Sequence, residues 1–211
     1  MANREIISID MQKGMPQGSK HKLENISLTV INEVTTGAGR TGKWSGFQHY
    51  DLKPDMIAMG KGIGNGYPVS VAAISGSAAE LLKKHNFHYS QSHQNDPLGA
   101  SIVTEVTGTI NDENLVERSR QLGEKLMTGL DSLRKSGSII RETRGRGLKI
   151  AIEFTRDADM VQKELIKRGF IVAKRSGHEV LRIDPALAIK EQDINDFILS
   201  LNEIITYLKT E

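Results

Sequence analysis

Apolar residues follow two different rhythms along this chain. In the first part they come as short, nearly continuous β-branched runs: EIISI (Glu5 to Ile9), ISLTVINEV (Ile26 to Val34), DMIAM (Asp55 to Met59) and VSVAAIS (Val69 to Ser75). Runs of that length predict strands buried on both faces of a parallel sheet, separated by glycine-rich turns. The rhythm then changes. Leu115, Leu122, Leu126, Leu130 and Leu133 recur at helical spacing, with Asn111 or Asp112 as cap and Gly137 as stop, which predicts a long amphipathic helix. GLKIAIEF sets Leu148, Ile150, Ile152 and Phe154 against Lys149, Ala151 and Glu153, the period of a sheet with one covered face. DADMVQKELIKRGFIVAKR reads as helix, Gly169 stop and strand, and HEVLRID as a further strand. The closing helix carries Ile194, Phe197, Ile198, Leu201, Ile205 and Leu208 on one face. The expectation is an α/β protein in two parts, 1–112 and 113–211, with the long helix opening the second part and no internal repeat.

Composition narrows the setting. At 211 residues the chain is long enough to bury a sizeable core. Lys and Arg number 28 against 26 Asp and Glu, with the signs interspersed, so there is no basic footprint for nucleic acid. Without cysteine there is neither a disulfide framework nor a thiolate metal site. No apolar run is long enough to span a bilayer, and MANREIISIDMQKG lacks the apolar centre of a secretion signal. A cytoplasmic setting is the expectation.

In an open α/β sheet ligands bind at strand ends, which directs attention to the glycine-rich turns of the first part. GAGRTGK (Gly37 to Lys43) has the spacing of a phosphate loop, but Trp44 stands where magnesium needs a hydroxyl, and no helix start follows. A glycine-rich turn is the better reading. His85, His88 and His93 cluster in sequence without carboxylates at ligand spacing, so no metal site is expected. Lys61, in PDMIAMGKGIGNGYPVSVAAIS, ends an apolar run among glycines. It reads either as a strand-end lysine reaching water or as a desolvated lysine whose neutral amine attacks a carbonyl. Flanking glycines would allow a planar cofactor close to the backbone.

The stretch INEVTTGAGRTGKWSGFQHYDLKPDMIAMGKGIGNGYPVSVAAI, followed in order by QSHQNDPLG, RGRGLKIAIEF and VLRIDPAL, resembles the class-III aminotransferases, pyridoxal-phosphate enzymes of fold type I. The resemblance implies part of an aspartate-aminotransferase-like large domain with a mostly parallel sheet, plus a small C-terminal α/β domain. It implies that Lys61 carries pyridoxal 5'-phosphate as a Schiff base and moves the proton between substrate and cofactor. Ser92 matches a Thr whose hydroxyl binds cofactor phosphate across a dimer interface. Thr35 matches a Gln near the phenolic oxygen. Arg182 matches the arginine that pairs with a substrate carboxylate, a task suited to a bidentate donor. Arg144 and Arg146 are expected to serve a turn and domain packing.

Two departures from the family pattern shape the functional expectation. Asn32 stands where the family has Asp; a neutral amide supplies no counter-charge to the pyridine nitrogen, so a weaker electron sink is expected. Otherwise Asn32 is a strand-end turn residue without cofactor contact. Family members are roughly twice this length, so the chain reads as a C-terminal half retaining four neighbouring strands of a larger sheet, with exposed strand edges. Three functions follow as alternatives. One is an aminotransferase moving an amino group from an amino donor to a 2-oxo acid, truncated and impaired, as a homodimer. Another is an inert or split-gene half requiring an N-terminal partner chain. The last is a different fold type I reaction, such as that of a mutase, racemase or decarboxylase.

Overall fold

The computed structural model describes residues 5–10 and 27–210. The segment 11–26, expected to join the first two strands, lies outside the described residues, as does most of the opening stretch read for a secretion signal. The chain divides into two compact units: Met1–Ala38 with Lys43–Glu113, and Gly39–Gly42 with Asn114–Glu211.

The first unit holds a four-stranded sheet of β1 (Glu5–Asp10), β2 (Ser27–Asn32), β3 (Met56–Met59) and β4 (Val71–Ile74), in that spatial order. The first three strands are parallel, with Asn32 in register with Asp10 on one side and Ala58 on the other. β4 runs antiparallel to β3, pairing Met59 with Val71. Helix α1 (Gly76–Lys84) is capped by Ser75, whose hydroxyl accepts the Ala78 N–H. Helix α2 (Pro97–Asp112) is capped by Asp96, with proline at its first position.

Burial in this sheet differs from expectation. Ile31 is fully buried, but all of β3 is half-buried and most of β4 is exposed. A strand is buried on both faces only when other elements cover both, and neither β3 nor β4 contains a buried residue.

The second unit is built around its own core. Helix α3 (Leu115–Lys135) leads into an all-antiparallel sheet, β5 (Ile140–Arg146), β6 (Lys149–Phe154), β7 (Ala173–Lys174) and β8 (Val180–Ile183), ordered β5-β6-β8-β7. Helices α4 (Ala158–Lys167) and α5 (Glu191–Thr210) complete it. β6 buries Ile150, Ile152 and Phe154 on one face, as its alternation requires. Against them pack Leu126 and Leu130 of α3, Val161 and Leu165 of α4, and Ile194, Leu201 and Ile205 of α5. Each such side chain contributes about 1.5–3 kcal/mol by leaving water. α3 approaches the β5–β6 turn so closely that a Cβ on Gly123 would lie 2.2 Å from the Gly147 carbonyl oxygen.

Two expectations fail here. Asn111 and Asp112 do not cap α3; they end α2, and Asn114 in left-handed backbone (φ 52°) separates the two helices. Arg144 is not in a turn but inside β5, ion-paired with Glu142 and Glu153.

Candidate active site

Two parallel strands end side by side in the first unit, β2 at Asn32 and β3 at Met59. Lys61 follows β3 after one glycine and opens a short 3-10 turn, Lys61–Gly64. Its backbone is left-handed (φ 49°), a region that a side chain with a Cβ disfavours by about 1–2 kcal/mol. Such strain in a non-glycine residue is concentrated at functional positions. Among the described residues Lys61 has no hydrogen-bond or ion-pair partner. It borders a shallow cleft of ≈ 650 Å³ also lined by Asn65, Gly66, Tyr67 and Ser70.

The desolvated setting expected for a nucleophilic Lys61 is not supplied by the described residues, because the side chain is exposed. Nor are all the nearby glycines open to a ligand. A Cβ on Gly64 would lie 2.7 Å from Val69 Cγ1, so that glycine serves internal packing, whereas Gly66 (φ 100°) faces open space at the cleft.

Asn32 is half-buried, and its Oδ1 accepts the Val34 N–H at 3.0 Å, an Asx turn that closes the strand end. The next residue, Glu33, is a structural position at the site that sequence reasoning passed over. It is 1% exposed, and its carboxylate accepts the Thr36 hydroxyl at 2.6 Å and the N–H groups of Gly46 and Phe47 at 2.9 and 2.8 Å. It thereby fastens the 3-10 turn Gly46–His49 to the end of β2. A lone carboxylate between an apolar strand and a glycine-rich turn was the available signal. Thr35 is half-buried in the turn after β2.

Ser92 lies exposed in the turn before α2, where Asp96 both caps the helix and accepts the Tyr67 hydroxyl at 3.4 Å. In that region His93 has left-handed backbone, and among the described residues no group of His, Asp and Glu converges on a metal position. No helix among the described residues is long and apolar enough to cross a membrane.

The second unit carries Arg182 on the exposed face of β8, 55% exposed at its side chain, with Nε donating to Asp184. Asp184 Oδ1 lies 3.7 Å from Lys149 Nζ. Arg40, from the GRTG turn, belongs to this unit and donates Nη1 to the carbonyls of Leu148, at 3.3 Å, and Pro185. Burial pushes the Arg40 guanidinium below its usual value, opposed by the charge of Asp184. The GRTG arginine is therefore a structural tether.

The residues present fit pyridoxal phosphate in kind: an unpartnered amine in strained backbone beside a cleft, and a polar side chain at the neighbouring strand end. Comparison with known proteins agrees. The chain is 34% identical over 186 residues to ornithine aminotransferase 1 of Staphylococcus aureus, covering 88% of this chain and 45% of that one. It is 33% identical over 178 residues to a [LysW]-aminoadipate semialdehyde/glutamate semialdehyde transaminase of Sulfolobus acidocaldarius, covering 84% and 45%. Its fold matches the acetylornithine aminotransferase structure from Elizabethkingia anophelis at a TM-score of 0.77 and 26% identity, over 86% of this chain and 46% of that one. The chain thus spans about half the length of the relatives it matches. The family model for aminotransferase class-III matches residues 22–205, and the chain belongs to that family of pyridoxal-phosphate enzymes.

Proposed function

We propose that this chain is the lysine-bearing portion of a pyridoxal-phosphate-dependent aminotransferase that moves an amino group from an amino donor to a 2-oxo acid. The observation that carries the reading is Lys61, exposed and in left-handed backbone beside the cleft at the strand ends, with no partner among the described residues. Lys61 Nζ would hold the cofactor aldehyde and move the proton at the substrate carbon that bears nitrogen. When bound, the cofactor supplies an electron sink for that carbon. Asn32 would meet the ring nitrogen, and Thr35 would stand where the family has Gln near the phenolic oxygen. Ser92 offers its hydroxyl to a phosphate, held by a second copy of the chain in a homodimer. Arg182 receives a substrate carboxylate.

The test is to add pyridoxal phosphate to the purified chain, record the near-visible band of a lysine-bound cofactor, and locate it by borohydride reduction and peptide mass spectrometry. A band that Lys61→Ala abolishes supports the reading. No band in the parent, or label on other lysines alone, refutes it.

A second reading has its own support: the first unit functions only when another chain covers it. β3 and β4 contain no buried residue and Ile74 is 45% exposed, whereas β6 of the second unit buries every second residue. Sedimentation with and without a chain supplying the N-terminal half of the family separates the two readings.

A further inference from the structure

Lys61 keeps a backbone that its own side chain disfavours, so contacts around it must hold it there. The turn that it opens is fastened at the far end, where Ile63 and Gly64 are buried while Lys61 and Gly62 are exposed. Tyr67 donates its N–H to the Gly64 carbonyl at 2.9 Å, and the Val69 N–H returns to the Tyr67 carbonyl at 2.8 Å. The Tyr67 hydroxyl reaches the other way, donating to Asp96 Oδ2 at 3.4 Å. One residue therefore joins the Lys61 turn to the N-terminus of α2.

Packing makes the same connection. A Cβ on Gly64 would lie 2.7 Å from Val69 Cγ1, and a Cβ on Gly99, in the first turn of α2, would lie 3.1 Å from Val69 Cγ2. These two glycines admit Val69 between the turn and the helix.

Asp96 serves both elements. Its Oδ1 accepts the Leu98 N–H at 3.4 Å, and its Oδ2 accepts the Gly99 N–H at 3.1 Å besides the Tyr67 hydroxyl. Capping alone asks only for a short polar side chain. A serine would supply the cap, but its oxygen lies one bond nearer the backbone and would not reach Tyr67.

We propose that Asp96 is a positioning residue that acts through Tyr67 to hold the Lys61 turn in the left-handed shape presenting its amine to the cleft. The role rests on the reading that Lys61 carries the cofactor, and it adds to that site a residue outside the cleft lining. Without the link, Lys61 relaxes toward ordinary backbone. The fraction of chains that present the amine falls, and the apparent affinity for an aldehyde falls with it. Tyr67 itself lines the cleft, so its anchoring also fixes part of the wall beside Lys61.

The experiment compares the full chain with Tyr67→Phe, which deletes only the hydroxyl, and Asp96→Ser, which keeps the cap. Each is titrated with pyridoxal phosphate, and labelling at Lys61 is read by borohydride reduction and peptide mass spectrometry. The half-saturating concentration at Lys61 is expected to rise about two- to fivefold in both variants, and no further in the two combined, because both remove one bond. Labelling at other lysines stays constant, which a general loss of folding would not allow. Asp96→Asn, which keeps an oxygen for cap and hydroxyl alike, rescues the labelling that Asp96→Ser loses. Without cofactor, amide exchange at Ile63 and Asn65, whose N–H groups close the turn, should quicken by a similar factor in Tyr67→Phe, ahead of β2. Unchanged labelling at Lys61 in Tyr67→Phe, or losses that add in the combined variant, overturn the proposal; Tyr67→Phe decides even if Asp96→Ser does not fold. A parent that takes up no cofactor at Lys61 refutes the proposed function, and the exchange then decides alone: quickened at Ile63 and Asn65 it sustains the role of Asp96, unchanged it overturns it.

Discussion

Arg182 and Asp184 stand on the same face at the end of β8, and the carboxylate of Asp184 accepts from Arg182 Nε while its other oxygen lies 3.7 Å from Lys149 Nζ. The guanidinium proposed to receive a substrate carboxylate thus already has a carboxylate beside it within the chain. A ligand must use the remaining edge of the guanidinium or displace Asp184.

Asp184→Asn removes that competitor. Carboxylate binding to the loaded protein is expected to tighten by up to about tenfold, the equivalent of about 1.4 kcal/mol. The pair is half-exposed, so stability should change by no more than about 1 kcal/mol. Calorimetric titration with a 2-oxo acid, alongside urea denaturation, checks both; unchanged affinity would show that Asp184 does not compete for Arg182.

A buried carboxylate with three donors is a different matter. Glu33→Gln keeps the size of the side chain but turns an NH₂ group toward donors that need an acceptor. Leaving one buried donor unsatisfied costs about 1–3 kcal/mol. The first unit should lose stability by that amount, with faster amide exchange at Gly46 and Phe47 before anywhere else. Exchange that rises evenly across the unit would remove Glu33 from its role as fastener.

How much of this was legible in the sequence depends on what each feature needs. β6 and α5 were readable because one buried face imposes a period on one segment. α2 was missed: Thr104, Thr107 and Thr109, with Val103 and Val106, are weak helix formers, and its clearest signal was Asp96-Pro97 at its start. The cap of α3 was misplaced because that helix was read without its predecessor, which claims Asn111 and Asp112. The two glycines within the RGRG run, Gly145 and Gly147, suggest a turn at Arg144, whereas Arg144 pairs with Ala151 in the ladder. At the site, the position of Lys61 at a strand end was visible, but its exposure was not. Desolvation depends on what covers a residue, and sequence neighbours do not supply that.

The second unit should lose stability in acid. Thr143, donating to Asp131 at 2.7 Å, holds that carboxyl below its usual range, with Arg134 assisting. Arg144 does the same for Glu153, Arg120 for Glu117 and Lys125 for Glu191. A carboxyl with a depressed folded value binds fewer protons folded than unfolded, so its contribution is complete above the unfolded value and is lost as pH falls through the folded one. Melting temperature should therefore be level above about pH 5 and fall below about pH 4, and Asp131→Asn with Glu153→Gln should flatten the fall. An unchanged slope in that double variant would show that these pairs are not its source.

Gly123 sets how closely α3 can approach the β5–β6 turn. A Cβ there would lie 2.2 Å from the Gly147 carbonyl oxygen and 2.4 Å from its carbon, and both neighbours are backbone. Relief would require moving α3, which carries Leu122, Leu126 and Leu130 into the core. Gly123→Ala is expected to cost about 1–3 kcal/mol in denaturation, although alanine favours helix more than glycine does. A gain in stability would mean that the contact is looser than described.

Lys61 presents the sharpest separation between stability and chemistry. Its left-handed backbone costs about 1–2 kcal/mol with any side chain that has a Cβ, and little with glycine. Lys61→Gly should therefore leave the first unit at least as stable as Lys61→Ala, by up to about 1 kcal/mol after the added freedom of the unfolded chain is counted. Neither variant can hold the cofactor aldehyde, so both should lack the near-visible band. If Lys61→Gly proves clearly less stable than Lys61→Ala, the strain at this position is absent. The case for Lys61 as a functional residue would then rest on its exposed, unpartnered amine alone.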